Sequence, residues 1–180
     1  MVTTAPYLWK KNINSSCWEG TGVGRNKMAL VNFRKRKQGK LKLYCNENAV
    51  ENLIYYIMSD EKTPSRIYGG IGVSTSDKAM AVRQFHAVKQ AYRNTKGKQA
   101  LHFWVSFDEE KMYSLGELRH IGYEIAKFFG GEYQIIFALH ENTDNYHIHF
   151  VVNTVNFITG KKIRWNRGEL YRLIKYVEKY

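Results

Sequence analysis

Apolar positions along the chain change period several times, and the changes divide it into elements. Residues 146–152 alternate: Ile148, Phe150 and Val152 share one parity, His147 and His149 the other. That is the pattern of a strand with one face on a core. The run 133–140 alternates through Tyr133, Ile135, Phe137 and Leu139 and ends on His140. The polar link 141–145 between the two has the length and composition of a hairpin loop. A third alternating run, 100–107, sets Leu101, Phe103, Val105 and Phe107 against His102, Trp104 and Ser106.

Helical spacing appears in four places. Val50, Leu53, Ile54 and Ile57 predict a helix over 48–60, with Asn46 or Asn48 as its cap. Ala81, Phe85, Val88 and Tyr92 predict one over 77–94, opened by Asp77 or a neighbouring Ser or Thr and broken at Asn94-Thr-Lys-Gly97. Ser114-Leu-Gly-Glu117 is a capping box for a helix reaching 129, with Leu118, Ile121, Ile125 and Phe128 inward and Gly130-Gly131 ending it. Asn166 and Glu169 open a last helix that turns Leu170, Leu173, Ile174 and Val177 inward. A short strand is expected over 40–45, and Tyr68-Gly-Gly-Ile-Gly72 reads as a turn or short strand. Residues 1–40 read as irregular and polar. Helices interleaved with strands, plus one antiparallel hairpin, imply an α+β fold: a central antiparallel sheet flanked by helices. The expected organisation is a basic, partly irregular extension over 1–45 and a main domain over 46–180, compact as a whole.

Composition narrows the partners. With 180 residues and 44% hydrophobic, the chain can bury one core. Lys and Arg number 28 against 16 Asp and Glu, a net charge of +12. That excess favours a polyanion, nucleic acid above all. Arg34-Lys35-Arg36-Lys37 is a candidate phosphate clamp, and Trp104 and Trp165 are candidate stacking platforms for unpaired bases. Cys17 and Cys45 form no C-x-x-C pattern, so neither a zinc ribbon nor a disulfide framework is implied. The glycines of Gly20-Thr-Gly22-Val-Gly24 lack phosphate-loop spacing. No apolar run reaches membrane-spanning length and no signal peptide opens the chain, so a cytoplasmic protein is expected. The helical pattern runs to the final residue, as in a chain that continues.

The chemistry gathers at His140-Glu-Asn-Thr-Asp-Asn-Tyr-His147-Ile-His149. Imidazoles two apart on a strand project from one face, about 7 Å apart at their Cα atoms. A His-x-His pair alone is weak evidence of metal binding. His140, brought alongside by the hairpin, completes an open three-imidazole site with room for substrate oxygens. Mn²⁺ is the expected ion, with Zn²⁺, Ni²⁺, Co²⁺ and Mg²⁺ as alternatives; Mg²⁺ suits imidazoles least. Asp144 or Glu141 would accept a hydrogen bond from a ligand histidine and set its tautomer. His102 would face the same site, although a lone strand histidine is as readily structural. On the first helix Tyr56 flanks the apolar stripe and Tyr55 points away from it.

These residues resemble three motifs of the relaxases, mobilisation nucleases of the HUH endonuclease superfamily and in particular its MobP-like conjugative members. His140…His147-Ile-His149 with Val151-Val-Asn153 is similar to the metal motif. His102-Phe-Trp-Val-Ser106-Phe107 is similar to the middle motif, and Tyr56-Ile-Met-Ser-Asp-Glu61-Lys62-Thr63 to the first. Together they cover most of 50–155 in the family's order. Asn145 stands where some members carry a further histidine. The resemblance implies a nickase acting on single-stranded DNA at the origin of transfer of a mobile element. Its tyrosine would form a 5′-phosphotyrosine, release a 3′-hydroxyl and later rejoin the strand. Tyr56 is the implied nucleophile from its offset to Glu61-Lys62-Thr63, with Tyr55 in reserve. Adjacent duplex or hairpin DNA and accessory proteins of a relaxosome are the implied partners. Three other readings share parts of this pattern. A rolling-circle replication initiator usually carries its tyrosine downstream of the histidines. A non-catalytic, metal-stabilised DNA-binding module would form no covalent adduct. A hydrolase using water would need no tyrosine.

Overall fold

A computed structural model describes residues 29–33, 44–107, 112–141 and 145–180. In chain order the elements are β1 (Ala29–Phe33), α1 (Ala49–Ile57), β2 (Tyr68–Ile71), α2 (Lys78–Ala91), β3 (Ala100–Phe107), α3 (Leu115–Gly130), β4 (Ile135–His140), β5 (His147–Asn153) and α4 (Arg167–Val177). The strands form one five-stranded sheet in the order β1-β3-β5-β4-β2. Every neighbouring pair is antiparallel. The fold is α+β, and no helix among the described residues is long and apolar enough to cross a membrane.

Alternation along the strands divides the core in two. Phe103, Val105, Phe137, Leu139, Ile148, Phe150 and Val152 face α3 and α4, together with Leu118, Ile125, Phe129 and Leu173. Gly122 lets α3 settle onto this face, since a Cβ there would lie 2.5 Å from the Phe137 ring. The opposite face carries Ala100, Ile136, Ala138 and Val151 under Val50, Leu53, Ile54 and Ile57 of α1 and Ala81 and Phe85 of α2. This second layer is shorter. Polar residues therefore occupy both ends of its strands: the histidines at one, Asn153 at the other.

The helix ends follow local chemistry. Asp77 accepts from the Ala79 and Met80 amides, Ser114 and Glu117 close the capping box, and Asn166 accepts from the Glu169 amide. Asn48 stands at the N-terminus of α1 without a side-chain cap bond. One expectation changes and one alternative is settled. Ala29–Phe33 is an edge strand rather than irregular chain, pairing with β3 so that Val31 and Phe33 extend the α3/α4 core. Tyr68–Ile71 is a strand paired with β4. Most of 40–45 lies outside the described residues.

On α2 the buried stripe is Ala81, Phe85 and Lys89, not Val88 and Tyr92. Lys89 is 1% exposed and donates to Asn153 Oδ1 at 2.8 Å. Asn153 Nδ2 in turn donates to Gln134 Oε1 at 2.8 Å and to the Phe85 carbonyl at 3.1 Å. Burial, with Lys162 nearby, lowers the ammonium from 10.5 to about 7. Between those two values the unfolded chain holds a proton that the folded chain gives up, so raising the pH favours folding. The melting temperature of wild type relative to Lys89→Met is expected to rise by about 4–8 °C between pH 7 and 9. A difference that stays constant in calorimetric scans would mean that Lys89 remains charged.

Candidate active site

Helix α1 ends by laying Tyr56 across the histidine end of the sheet. Its ring centroid lies 5.5 Å from that of His140, 5.8 Å from His149 and 6.2 Å from His102. Tyr55, one residue back and about 100° around the helix, makes no ring contact with a histidine. Exposure does not separate the two, at 44% for Tyr55 and 43% for Tyr56. The ring contacts do: of the two, Tyr56 is the one against the histidines.

The imidazoles meet because of strand register. His140 pairs with His147 across the hairpin, and His149 lies opposite Trp104 on β3. The His140 and His149 centroids are 4.0 Å apart, and those of His147 and His149 6.4 Å. Trp104 and His102 both stack on His149, at 5.7 and 5.4 Å. Trp104 therefore belongs to the wall of the site. His140 donates from Nε2 to the Ile57 carbonyl at 3.0 Å, which ties β4 to the residue after Tyr56. A hydrogen-bonded chain runs from Tyr44 Oη to His102 Nδ1 (3.0 Å) and from His102 Nε2 to His149 Nδ1 (3.1 Å). Two proton arrangements satisfy it. Only the one in which His149 Nδ1 donates leaves a lone pair on His149 Nε2.

Burial dominates the electrostatics. It lowers His140 to about 4, aided by the charges of Lys62 and His147 and opposed by the bond to Ile57. It lowers His149 to about 2, with His140, His102, His147 and Lys62 adding to it. His147 also falls, by burial against a bond to the backbone of Asn145. All three are neutral donors near pH 7. Among the described residues, no three His, Cys, Asp or Glu side chains already converge on one point. The donor chemistry still fits a divalent cation. His140 holds a backbone carbonyl with one ring nitrogen, as metal-binding histidines commonly do, leaving Nδ1 for a metal.

Other expected site residues are placed differently. Glu141 does not reach a histidine: its carboxylate accepts from the Ser65 amide at 3.1 Å and from the Ser65 hydroxyl. It pins the loop after α1 instead. Trp165 packs on Phe33 and Phe129 at 6.0 and 5.6 Å, on the α3/α4 face away from the histidines. Asp144 and Arg34, Lys35, Arg36 and Lys37 lie outside the described residues. The site also holds two residues that sequence reading gave no role. Tyr44 is far from the histidines along the chain, and no local pattern marks it. Lys62 stands in the first motif, and its charge near the candidate nucleophile was the available signal; its Nζ lies 5.2 Å from the centre of the Tyr56 ring.

Comparison with known proteins shows which family the chain belongs to. The chain is 26% identical over 146 residues to the group II intron-interrupted relaxase LtrB of Lactococcus lactis subsp. cremoris, covering 67% of this chain and 26% of that protein. It is 32% identical over 85 residues to the protein rlx of Staphylococcus aureus, covering 47% of this chain and 26% of the relative. Against the protein TraI of Escherichia coli it is 35% identical over 77 residues, covering 42% of this chain and 10% of the relative. The chain thus spans about a quarter of LtrB and rlx and a tenth of TraI. No solved structure is a significant match. The family profile "Relaxase: MobA/VirD2-like, nuclease domain" matches residues 56–180, from the tyrosine through the histidine hairpin to the last helix, and the chain belongs to that family.

Proposed function

We propose that this chain is the nicking domain of a conjugative relaxase and that it cuts single-stranded DNA at an origin of transfer through Tyr56. The observation that carries the reading is the Tyr56 ring among His140, His149 and His102. Tyr56 Oη would attack the scissile phosphorus and form a 5′-phosphotyrosine. The P–O3′ bond breaks, the phenol proton passes to water, and the released 3′ oxygen takes up a proton. Attack of a 3′-hydroxyl on the phosphotyrosine reverses these steps and rejoins the strand. The pentacoordinate transition state concentrates negative charge on non-bridging oxygens, so a nearby positive charge lowers the barrier.

His140, His147 and His149 would hold a divalent cation, Mn²⁺ by donor preference, which supplies Lewis-acid polarisation of the phosphate when bound. The chain's own part is to keep these imidazoles neutral by burial and to fix their direction. Ile57 orients His140, and the Tyr44–His102 pair orients His149. Trp104, stacked on His149, would offer its outer face to an unpaired base. The excess of basic residues would hold the strand's phosphates. Duplex DNA flanking the nick and relaxosome accessory proteins are the expected further partners.

Single-stranded oligonucleotides from candidate transfer origins, incubated with protein and Mn²⁺, test the reading on a denaturing gel. A DNA-shifted band from wild type and from Tyr55→Phe is expected, with at least a ~10³-fold loss in Tyr56→Phe. Cleavage without a shifted band would favour a water-using hydrolase and contradict the reading. The metal assignment is tested by calorimetric titration with Mn²⁺ at several pH values. An ordinary imidazole loses about tenfold in its neutral fraction between pH 7.5 and 5.5. The depressed values of His140 and His149 predict a much smaller loss of affinity over that range. A fall of a hundredfold or more would mean that ordinary, solvated histidines bind the ion.

A further inference from the structure

Tyr56 has a positively charged neighbour that the histidine reading leaves without a task. Lys62 Nζ lies 5.2 Å from the centre of the Tyr56 ring, while the imidazoles contact the same ring. The side chain is half-buried, and among the described residues no carboxylate pairs with its ammonium. Two neighbouring acids are engaged elsewhere, Asp60 with Arg66 and Lys78 and Glu141 with Ser65, and Glu61 forms no ion pair with it among the described residues. A surface lysine ordinarily points into water, where its hydration is best. Here the charge stays close enough to depress both His140 and His149.

The backbone beneath Lys62 is held from both sides. Its amide donates to the Ser59 carbonyl at 3.0 Å, and its carbonyl accepts from the Glu141 amide at 2.8 Å. Thr63, 1% exposed, donates from its hydroxyl to the Ile57 carbonyl at 3.2 Å. The Glu141 carboxylate grips Ser65. The loop is thus fastened both to the end of α1, which carries Tyr56, and to the end of β4, which carries His140. A lysine positioned this way, beside the candidate nucleophile and without an anion among the described residues, has a place for one from outside.

We propose that Lys62 is a phosphodiester-binding residue of this site, its ammonium taking a non-bridging oxygen of the phosphate presented to Tyr56. The role rests on the reading of Tyr56 as the attacking group. Lys62 would contribute a charge-assisted hydrogen bond to that oxygen. It would act at the phosphate itself, unlike basic residues that follow the strand on either side. A fixed positive charge also makes the site attractive to a diester before any cation binds.

The dinucleotide thymidylyl-thymidine carries one phosphodiester and no recognition sequence, so it probes this contact apart from sequence-specific nicking. It is titrated in EDTA into wild type, Lys62→Gln, Lys62→Arg and the control Lys78→Gln, and followed by the NMR shifts of the histidine and tyrosine ring protons. About a tenfold or greater loss of affinity is expected in Lys62→Gln. Lys62→Arg should bind within about threefold of wild type, because its charge is retained. Lys78→Gln should behave as wild type. The methylphosphonate analogue, neutral at the linkage, should bind wild type as weakly as the diester binds Lys62→Gln, with no further loss in the variant. Wild-type affinity in Lys62→Gln would overturn the proposal. Equal weakening of diester and methylphosphonate would also overturn it, because the effect would then be structural. No binding by wild type would overturn it as well. If the charge-dependent loss occurs while no oligonucleotide forms a DNA–protein adduct, Lys62 stands as a phosphodiester-binding residue and the nicking reading fails alone.

Discussion

One backbone carbonyl, that of Ile57, joins the parts of this site. It lies in the last turn of α1, where carbonyls have no partner within the helix. Two side chains supply one: His140 Nε2 at 3.0 Å and Thr63 Oγ1 at 3.2 Å. The helix carrying Tyr56, the strand carrying His140 and the loop carrying Lys62 are thereby fixed to a single buried point. Ile57 is fully buried and His140 is 3% exposed, so an unpaired carbonyl here would cost about 1–3 kcal/mol. The same two bonds satisfy the helix end and set the spacing of the candidate nucleophile from its neighbours.

A second constraint comes from the sheet. Its α3/α4 face is apolar along the full strands, whereas the α1/α2 face is apolar only in the middle. The histidines sit where that layer thins. They are buried enough to stay neutral, yet open enough for Tyr56 to remain 43% exposed. At the far end the same thinning leaves Asn153 and Lys89 in a closed polar network. The two ends use polarity differently: one is internally satisfied, and the other gathers imidazoles beside the part-exposed Tyr56.

Much of this was legible in the sequence because it depends on local periodicity. Alternation over 146–152 fixed which histidines share a face, and the short polar link put His140 across from His147. Helical spacing then left Tyr56 beside the apolar stripe. What was not legible depends on contacts distant in sequence. The edge strand Ala29–Phe33 is five residues long and adjoins a basic run, so its alternation was hidden. Tyr44 reaches His102 across 58 residues. Glu141 adjoins His140 in sequence and so reads as an acceptor for a histidine N–H, but a serine 76 residues earlier takes its carboxylate. Trp165 looked like a stacking platform, and it fills the opposite core because the new edge strand places Phe33 against it. Lys89 occupies an inward helical position that an apolar stripe assigns to Val88.

The most direct test is to locate the nucleotide on the protein. Wild type is reacted with an oligonucleotide that it nicks, digested with nuclease and trypsin, and the modified peptide is fragmented in a mass spectrometer. The account predicts a nucleotide phosphate on Tyr56 and none on Tyr55 or Tyr44, all three of which lie between Lys42 and Lys62. A modification on any other residue would contradict it.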